Sequence, residues 1–285
     1  MTMRGISLAF AALCAAAIQF ATVGVASADG NTRITWHGHA TFTITTPSGH
    51  VLAVDPWFHN PMNPKAANNA DPLADIGRVD FILITHGHFD HTADAVELAK
   101  KTGARVVGSF ELLSNMVKLL GLPENQIGFD TLINPGGRIT LADGNVVLEM
   151  TPAIHSSGFK NPKAGENDPD MVYGGAPGGF VLHIKDGPTI YDTGDTAYFD
   201  DMKLIGECGC IDLALVNIGG HFGMEADMAA RAVKAVGAKF AVAHHYGTFP
   251  VLTPNADGFK KAVGSRYLDM APGQTIAFQG RKPVK

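Results

Sequence analysis

The sequence predicts a layered α/β or α+β domain in which paired sheets are wrapped by helices. Three observations carry that prediction. Short apolar runs of strand length recur in both halves of the chain. Amphipathic helical stretches interleave with them. No linker, charge block, low-complexity tract or short repeat divides the chain beyond its first residues.

Residues 1–28 stand apart. Arg4 gives a positive start, 6–25 is mostly apolar, and Ala26-Ser27-Ala28 before Asp29 has the small-x-small ending of a cleaved signal peptide. The rival reading is a membrane anchor, which the small-residue ending disfavours. Leu13 before Cys14 occupies a place where a lipoprotein site needs a small residue. The expectation is therefore a secreted, periplasmic protein without a lasting membrane anchor, whose mature part is one domain over 29–285.

Within that domain, 34–36 and 41–44 read as strands around a turn at His37-Gly38-His39, and 51–54 continues an antiparallel meander. Residues 81–85 form a buried strand. Residues 92–101 follow as a helix with lysines in the last turn. Further strands are expected at 106–107, 139–141 and 146–150. The second half repeats the rhythm: strands at 180–184, 189–191 and 213–217, a helix at 226–236, a strand at 240–243 and a closing strand at 275–278. Two irregular stretches, 59–77 and 160–179, have the composition of functional rims.

Composition narrows the function. The full chain carries a formal charge of −5, and −6 once Arg4 is removed with the leader. An acidic chain without lysine or arginine clusters disfavours nucleic acid as a partner and leaves a small-molecule substrate. Cys208 and Cys210 are the mature chain's cysteines. Their C-x-C spacing is tight for a disulfide, although Gly209 permits a sharp turn, and packing is the expected role. With no C-x-x-C pair, a thiolate zinc knuckle is excluded.

The histidines are less ordinary. His86, His88, Asp90 and His91 fall within six residues after a buried strand. His155, Asp195, His221 and the pair His244-His245 each follow a later strand. Strand ends gathered at one sheet edge would converge these donors on one site. Neutral imidazole is the commonest transition-metal ligand, and carboxylates complete sites that activate water. One metal would take His86, His88 and a distant histidine, and a second Asp90, His91 and another. Two such ions need a bridging carboxylate and hold a hydroxide between them. The alternative, a polar turn of hydrogen-bonding histidines, is a poor account of four donors in six residues.

Thr85 to His91, T-H-G-H-F-D-H, resembles the H-x-H-x-D-H signature of the metallo-β-lactamase superfamily. The likeness runs through "WHGHATF", "DP", "AIHSS", "YDTGDTAYF" and "NIGGHF" to "HHYGTFP", and is most similar to the hydrolase branch related to ascorbate-6-phosphate lactonases. The resemblance implies a four-layer αββα sandwich with a dinuclear site at one edge. It implies His86, His88 and His155 on one metal. Asp90, His91 and His245, with His244 as the alternative, would hold the other, and Asp195 would bridge them. "ECGCID", 207–212, matches nothing the family requires.

Around the metals, Asp55 of "AVDPW" is either an orienting partner for a ligand histidine or a turn-forming Asp-Pro. His39 and His221 are candidate donors to substrate or leaving group, or structural histidines. His37, His50, His59 and His183 lack a functional context. Two divalent ions, zinc first with manganese or iron as alternatives, suit hydrolysis of a small-molecule ester, either a lactone or a phosphodiester, with Asp90 moving the proton. The resemblance implies that a bridging Asp195 counts against a true β-lactamase. A metal-binding or sensing protein without turnover is the non-enzymatic rival.

Overall fold

The computed structural model describes residues 30–166 and 168–284, so the leader expected at 1–28 lies outside the described residues. Among the described residues no helix is long and apolar enough to cross a membrane.

Two sheets form the centre. In the first, of seven strands, the meander Thr32–Trp36, Phe42–Thr45 and Val51–Val54 pairs antiparallel as its spacing predicts. It continues in parallel through Phe81–Leu83 to Arg105–Val107. Thr275–Gln279 pairs on the outer side of Thr32–Trp36, and a short strand, Lys282–Pro283, follows it where the sequence suggested the chain was closed. The second sheet, of six strands, runs antiparallel through Arg138–Leu141, Val146–Pro152, Gly178–Ile184 and Thr189–Asp192. It then turns parallel through Leu213–Asn217 and Phe240–His244. Each half thus begins as a meander and ends in parallel strands with helical crossovers.

The side-chain period of a strand explains the layering. Leu52, Val54, Leu83 and Val107 face Leu148, Phe180, Leu182, Leu213 and Val242 in one buried cluster between the sheets. Their neighbours Ala53, Ile82, Ile84 and Val106 face outward onto Leu98, Ala99, Leu112 and Met116. On the far side, Val181, Ala214, Val216 and Ala241 cover Ala229, Ala232, Val233 and Phe259. Three apolar interfaces between four layers make the αββα sandwich.

The outer helices follow their sequences. Ala95–Thr102 buries Ala95, Leu98 and Ala99 at the i, i+3, i+4 spacing and stops at Gly103, whose N–H returns to Ala99 O. Ala226–Ala235 buries Ala229, Ala232 and Val233 in the same way. The helix expected at 92–101 is in fact broken: Phe89–Thr92 forms a separate turn. The stretch 160–179 is not wholly irregular, because Gly158–Lys160 pairs with Met171–Tyr173 in a hairpin.

Cys208 and Cys210 are joined, which corrects the expectation of packing alone. Gly209 adopts φ +57°, the conformation that closes so small a loop. Behind it, buried Asp212 accepts from Lys239 Nζ at 2.8 Å and Arg281 Nε at 2.7 Å, and Arg281 also donates to Cys210 O. These contacts pin the loop to the last strand pair.

Candidate metal centre

The proposed donors sit beyond the carboxyl ends of the central strands, where parallel sheets generally leave a crevice. His86, His88, Asp90 and His91 follow Phe81–Leu83, and His155 follows Val146–Pro152. Asp195 follows Thr189–Asp192, and His245 follows Phe240–His244. Gly194 makes the turn to Asp195 with φ +54°, and a Cβ there would stand 2.5 Å from Gly178 O. Asp55, His39 and His245 are non-glycine residues at φ +43°, +49° and +61°. Such conformations persist where surrounding contacts hold them, commonly at functional sites.

One group of donors is His86, His88 and His155. His88 Nδ1 lies 2.9 Å from His86 Nε2 and 3.2 Å from His155 Nε2. Nitrogens bound tetrahedrally to one zinc stand roughly 3.3 Å apart, so this convergence has the size of a ligand set. Burial lowers the pKa of all three rings, which keeps them neutral with lone pairs to offer.

The second group is Asp90, His91 and His245, with His39 beside them. His245 Nε2 is 3.0 Å from Asp195 Oδ2 and 3.6 Å from Asp90 Oδ2. Burial alone would lower the His245 pKa, but Asp195 and Asp90 outweigh it and raise it to about 9. Burial likewise opposes the ionised form of Asp90, yet its contacts with His245 and His39 hold its carboxyl well below the usual range.

Asp195 lies between the groups. Its Oδ2 is 3.6 Å from His155 Nε2, 3.5 Å from His91 Nε2 and 3.0 Å from His245 Nε2, a bridging position. Its Oδ1 accepts from Asn217 Nδ2, and Asn217 Oδ1 in turn accepts from Gly219 N at 2.8 Å. The sequence reading missed Asn217. The available signal was an amide ending the otherwise apolar strand Leu213–Asn217.

Asp55 settles as an orienting residue. Its Oδ2 accepts from His91 Nδ1 at 2.7 Å and Thr85 Oγ1 at 2.6 Å, and its Oδ1 accepts from Thr85 N at 2.8 Å. Because the Thr85 hydroxyl donates to Asp55, it accepts from His86 Nδ1–H, 3.0 Å away. One buried carboxylate therefore fixes the tautomer of a histidine in each group, leaving both Nε2 lone pairs facing the centre.

These tautomers test the fit of a metal. His91 Nε2 is buried with no hydrogen-bond partner and faces the Asp195 carboxylate. A lone pair against a carboxylate repels unless a cation or proton lies between them. Without a cation the Asp195 and Asp55 charges overcome burial and raise the His91 pKa well above its ordinary value. His245 Nδ1 and Nε2 also lack hydrogen-bond partners. Three neutral imidazoles, ionised carboxylates and two further rings whose nitrogens face carboxylates across a proton or a cation fit divalent cations.

The remaining candidates separate. His244, like Val242 two residues earlier, points between the sheets, its ring 5.7 Å from Phe42; His245 is the one among the donors. His39 is fully buried. Its Nε2–H donates to Asp90 Oδ2 at 3.0 Å, and its Nδ1 pairs with Thr248 Oγ1 at 2.8 Å. Both nitrogens of His39 are thus engaged, one of them on Asp90. His221 is exposed and meets Phe222 edge-on, with ring centroids 4.5 Å apart, and has no ring contact with the cluster among the described residues. Trp57, Phe89 and Phe249 line the centre beside His39.

Comparison with known proteins agrees with this fold. Residues 50–246 match the Beta-lactamase superfamily domain. A UPF0173 metal-dependent hydrolase of Thermodesulfovibrio yellowstonii is 42% identical over 255 residues, covering 88% of this chain and 93% of its own. The structure of Igni18, a metallo hydrolase from Ignicoccus hospitalis, is 31% identical with a TM-score of 0.72, covering 87% of this chain and 98% of its own. The metallo-beta-lactamase fold protein YhfI from Bacillus subtilis shares the fold at 15% identity and a TM-score of 0.61, over 87% and 99% of the two chains.

Proposed function

The chain belongs to the metallo-β-lactamase superfamily and is a metal-dependent hydrolase of the UPF0173 kind, and from that premise we propose that it is a secreted enzyme that opens a small-molecule ester, a lactone before a phosphodiester. The observation that carries the reading is Asp195 Oδ2, which stands within reach of ring nitrogens from both donor groups. His86, His88 and His155 would hold one divalent cation, and Asp90, His91 and His245 a second, with zinc, manganese and iron all compatible with such donors. Cations held there would supply Lewis-acid polarisation and a nucleophile drawn from water at neutral pH.

The chain's own groups do the rest. Asp90 is the carboxylate with access: its side chain is 13% exposed against 3% for Asp195. It accepts the proton of the attacking water and returns it to the leaving oxygen. His39 keeps Asp90 aimed, and Asp55 keeps His86 and His91 in the ligating tautomer.

Charge favours the lactone. Lys65 pairs with Asp75, Arg78 with Asp80, and Lys239 and Arg281 with Asp212. No lysine or arginine forms an ion pair with the cluster among the described residues. The Cys208–Cys210 disulfide supports an oxidising compartment, in keeping with the leader-like residues 1–28.

Elemental analysis of the purified protein beside Asp195→Ala is the test, followed by a lactone and phosphodiester screen with the metal found. About two equivalents of metal, falling to about one in the variant, with lactone turnover, is the expected result. No retained metal after reconstitution overturns the hydrolytic reading.

A further inference from the structure

Phe89 lies in sequence between His88 and Asp90, and it is 60% exposed. Trp57 and Phe249, from two distant loops, meet it there. Trp57 and Phe249 are nearly parallel, at 14° with centroids 5.8 Å apart. Phe89 stands across both, at 67° and 5.5 Å from Trp57 and at 63° and 6.2 Å from Phe249. The rings form a corner, with a stacked pair on one side and an upright face on the other. The corner touches the machinery directly: His39 meets Trp57 edge-on at 5.2 Å and Phe249 at 5.8 Å.

A solvent-facing phenylalanine held in such a corner is not serving the core, whose clusters close without it. Aromatic rings favour a planar guest, which can stack on one face while presenting its edge to another. No lysine or arginine pairs with a residue of the neighbouring cluster among the described residues, so no basic side chain paired there calls for an anionic guest.

We propose that Trp57, Phe89 and Phe249 form the specificity-determining subsite of this hydrolase, and that it takes a flat, uncharged aromatic or conjugated group attached to the scissile ester. This rests on reading the adjacent centre as hydrolytic, but the corner itself is testable by binding alone.

Two measurements separate the claims. The first compares kcat/KM of the holoenzyme for γ-phenyl-γ-butyrolactone and γ-butyl-γ-butyrolactone, which share the reacting ring. A preference for the phenyl lactone of about tenfold or more is expected, carried by KM and largely lost in Phe89→Ala and Phe249→Ala. Phe129→Ala, an exposed phenylalanine away from the cluster, retains it. The second follows the fluorescence of Trp57, Trp36 being fully buried, while 4-phenylbutanamide or octanamide is added. The aromatic amide binds several-fold more tightly, and Phe89→Ala removes that difference.

Lactone turnover without an aromatic preference in either measurement overturns the subsite and leaves the hydrolase reading standing. An aromatic binding preference lost in Phe89→Ala, with no ester turned over, supports the subsite and removes the ester-opening reading. Trp57 emission that changes with protein concentration alone, alongside a dimer in sedimentation, makes the corner a contact between copies and overturns the proposal.

Discussion

Replacing Asp55 by asparagine probes the wiring behind the centre with little change of shape. Asparagine tolerates the φ of +43° found at this position, so the backbone is kept. Aspartate accepts three hydrogen bonds here, from Thr85 N, Thr85 Oγ1 and His91 Nδ1. An amide can accept at only one of its two ends. With its oxygen on Thr85 N, its NH2 faces two groups that were themselves donors. Relief requires His91 to move its proton to Nε2, and Thr85 to turn its hydroxyl toward His86 Nδ1, which pushes that proton to Nε2 as well. One histidine of each donor group then presents N–H where a ligating lone pair stood.

Loss of an orienting partner behind a metal ligand typically costs 10–100-fold in affinity, or about 1.4–2.7 kcal/mol, and both donor groups are touched here. Asp55→Ala should divide its effects differently. It leaves the imidazoles free to choose a tautomer, but strands the buried Thr85 N–H, at about 1–3 kcal/mol of stability. It also places alanine in the left-handed region, at about 1–2 kcal/mol more. Competition titration against a chelator, beside thermal melts of the metal-free proteins, reads both quantities. The asparagine variant should lose more metal affinity and the alanine variant more stability. Asparagine binding metal as well as wild type, or no worse than alanine, refutes the tautomer argument.

The other predictions use the same assays. Asn217→Leu removes the donor to Asp195 Oδ1, and metal affinity should fall about 10–100-fold; unchanged affinity would mean Asp195 needs no such support. In the metal-free protein His245 has a folded pKa of about 9 against an ordinary 6.5, so its stabilisation is complete below pH 6.5 and lost as pH rises through about 9. A cation competes with that proton, and its affinity should climb over the same interval by about a decade per pH unit. Melting temperature and chelator competition, both followed from pH 6 to 10, would contradict this by staying level. His39→Asn keeps the left-handed backbone but loses the donor to Asp90, and kcat/KM should drop about 10–100-fold, while His221→Ala stays within about twofold. A large loss at His221 would restore it as a leaving-group donor.

The sequence made some of this site legible and hid the rest for a physical reason. His86, His88, Asp90 and His91 could be read because a short run of unusual donors after a buried strand is a local pattern. The later donors could be read because each also terminates a strand. Thr85 and Thr248 could not, and Asn217 showed only as an amide ending an apolar strand, because their parts are hydrogen bonds to residues brought near by the fold. The choice between His244 and His245 belongs to the same class. Side chains alternate along a strand, so the two point apart; which one reaches the centre depends on where the strand ends. Phe240–His244 ends at His244, and His245 leaves it at φ +61°, turning its ring toward Asp195. The fold shows the same division. Periodicity yielded the layers, because burying one face of a strand is a property of the strand itself. The hairpin Gly158–Lys160 with Met171–Tyr173 was opaque, because it pairs across a loop of glycine, proline and aspartate whose composition argues against any strand. What the sequence encodes locally is therefore the donor set; what only the fold supplies is the proton direction on each donor, and that direction decides whether the histidines offer lone pairs to a cation or close into a buried hydrogen-bond network.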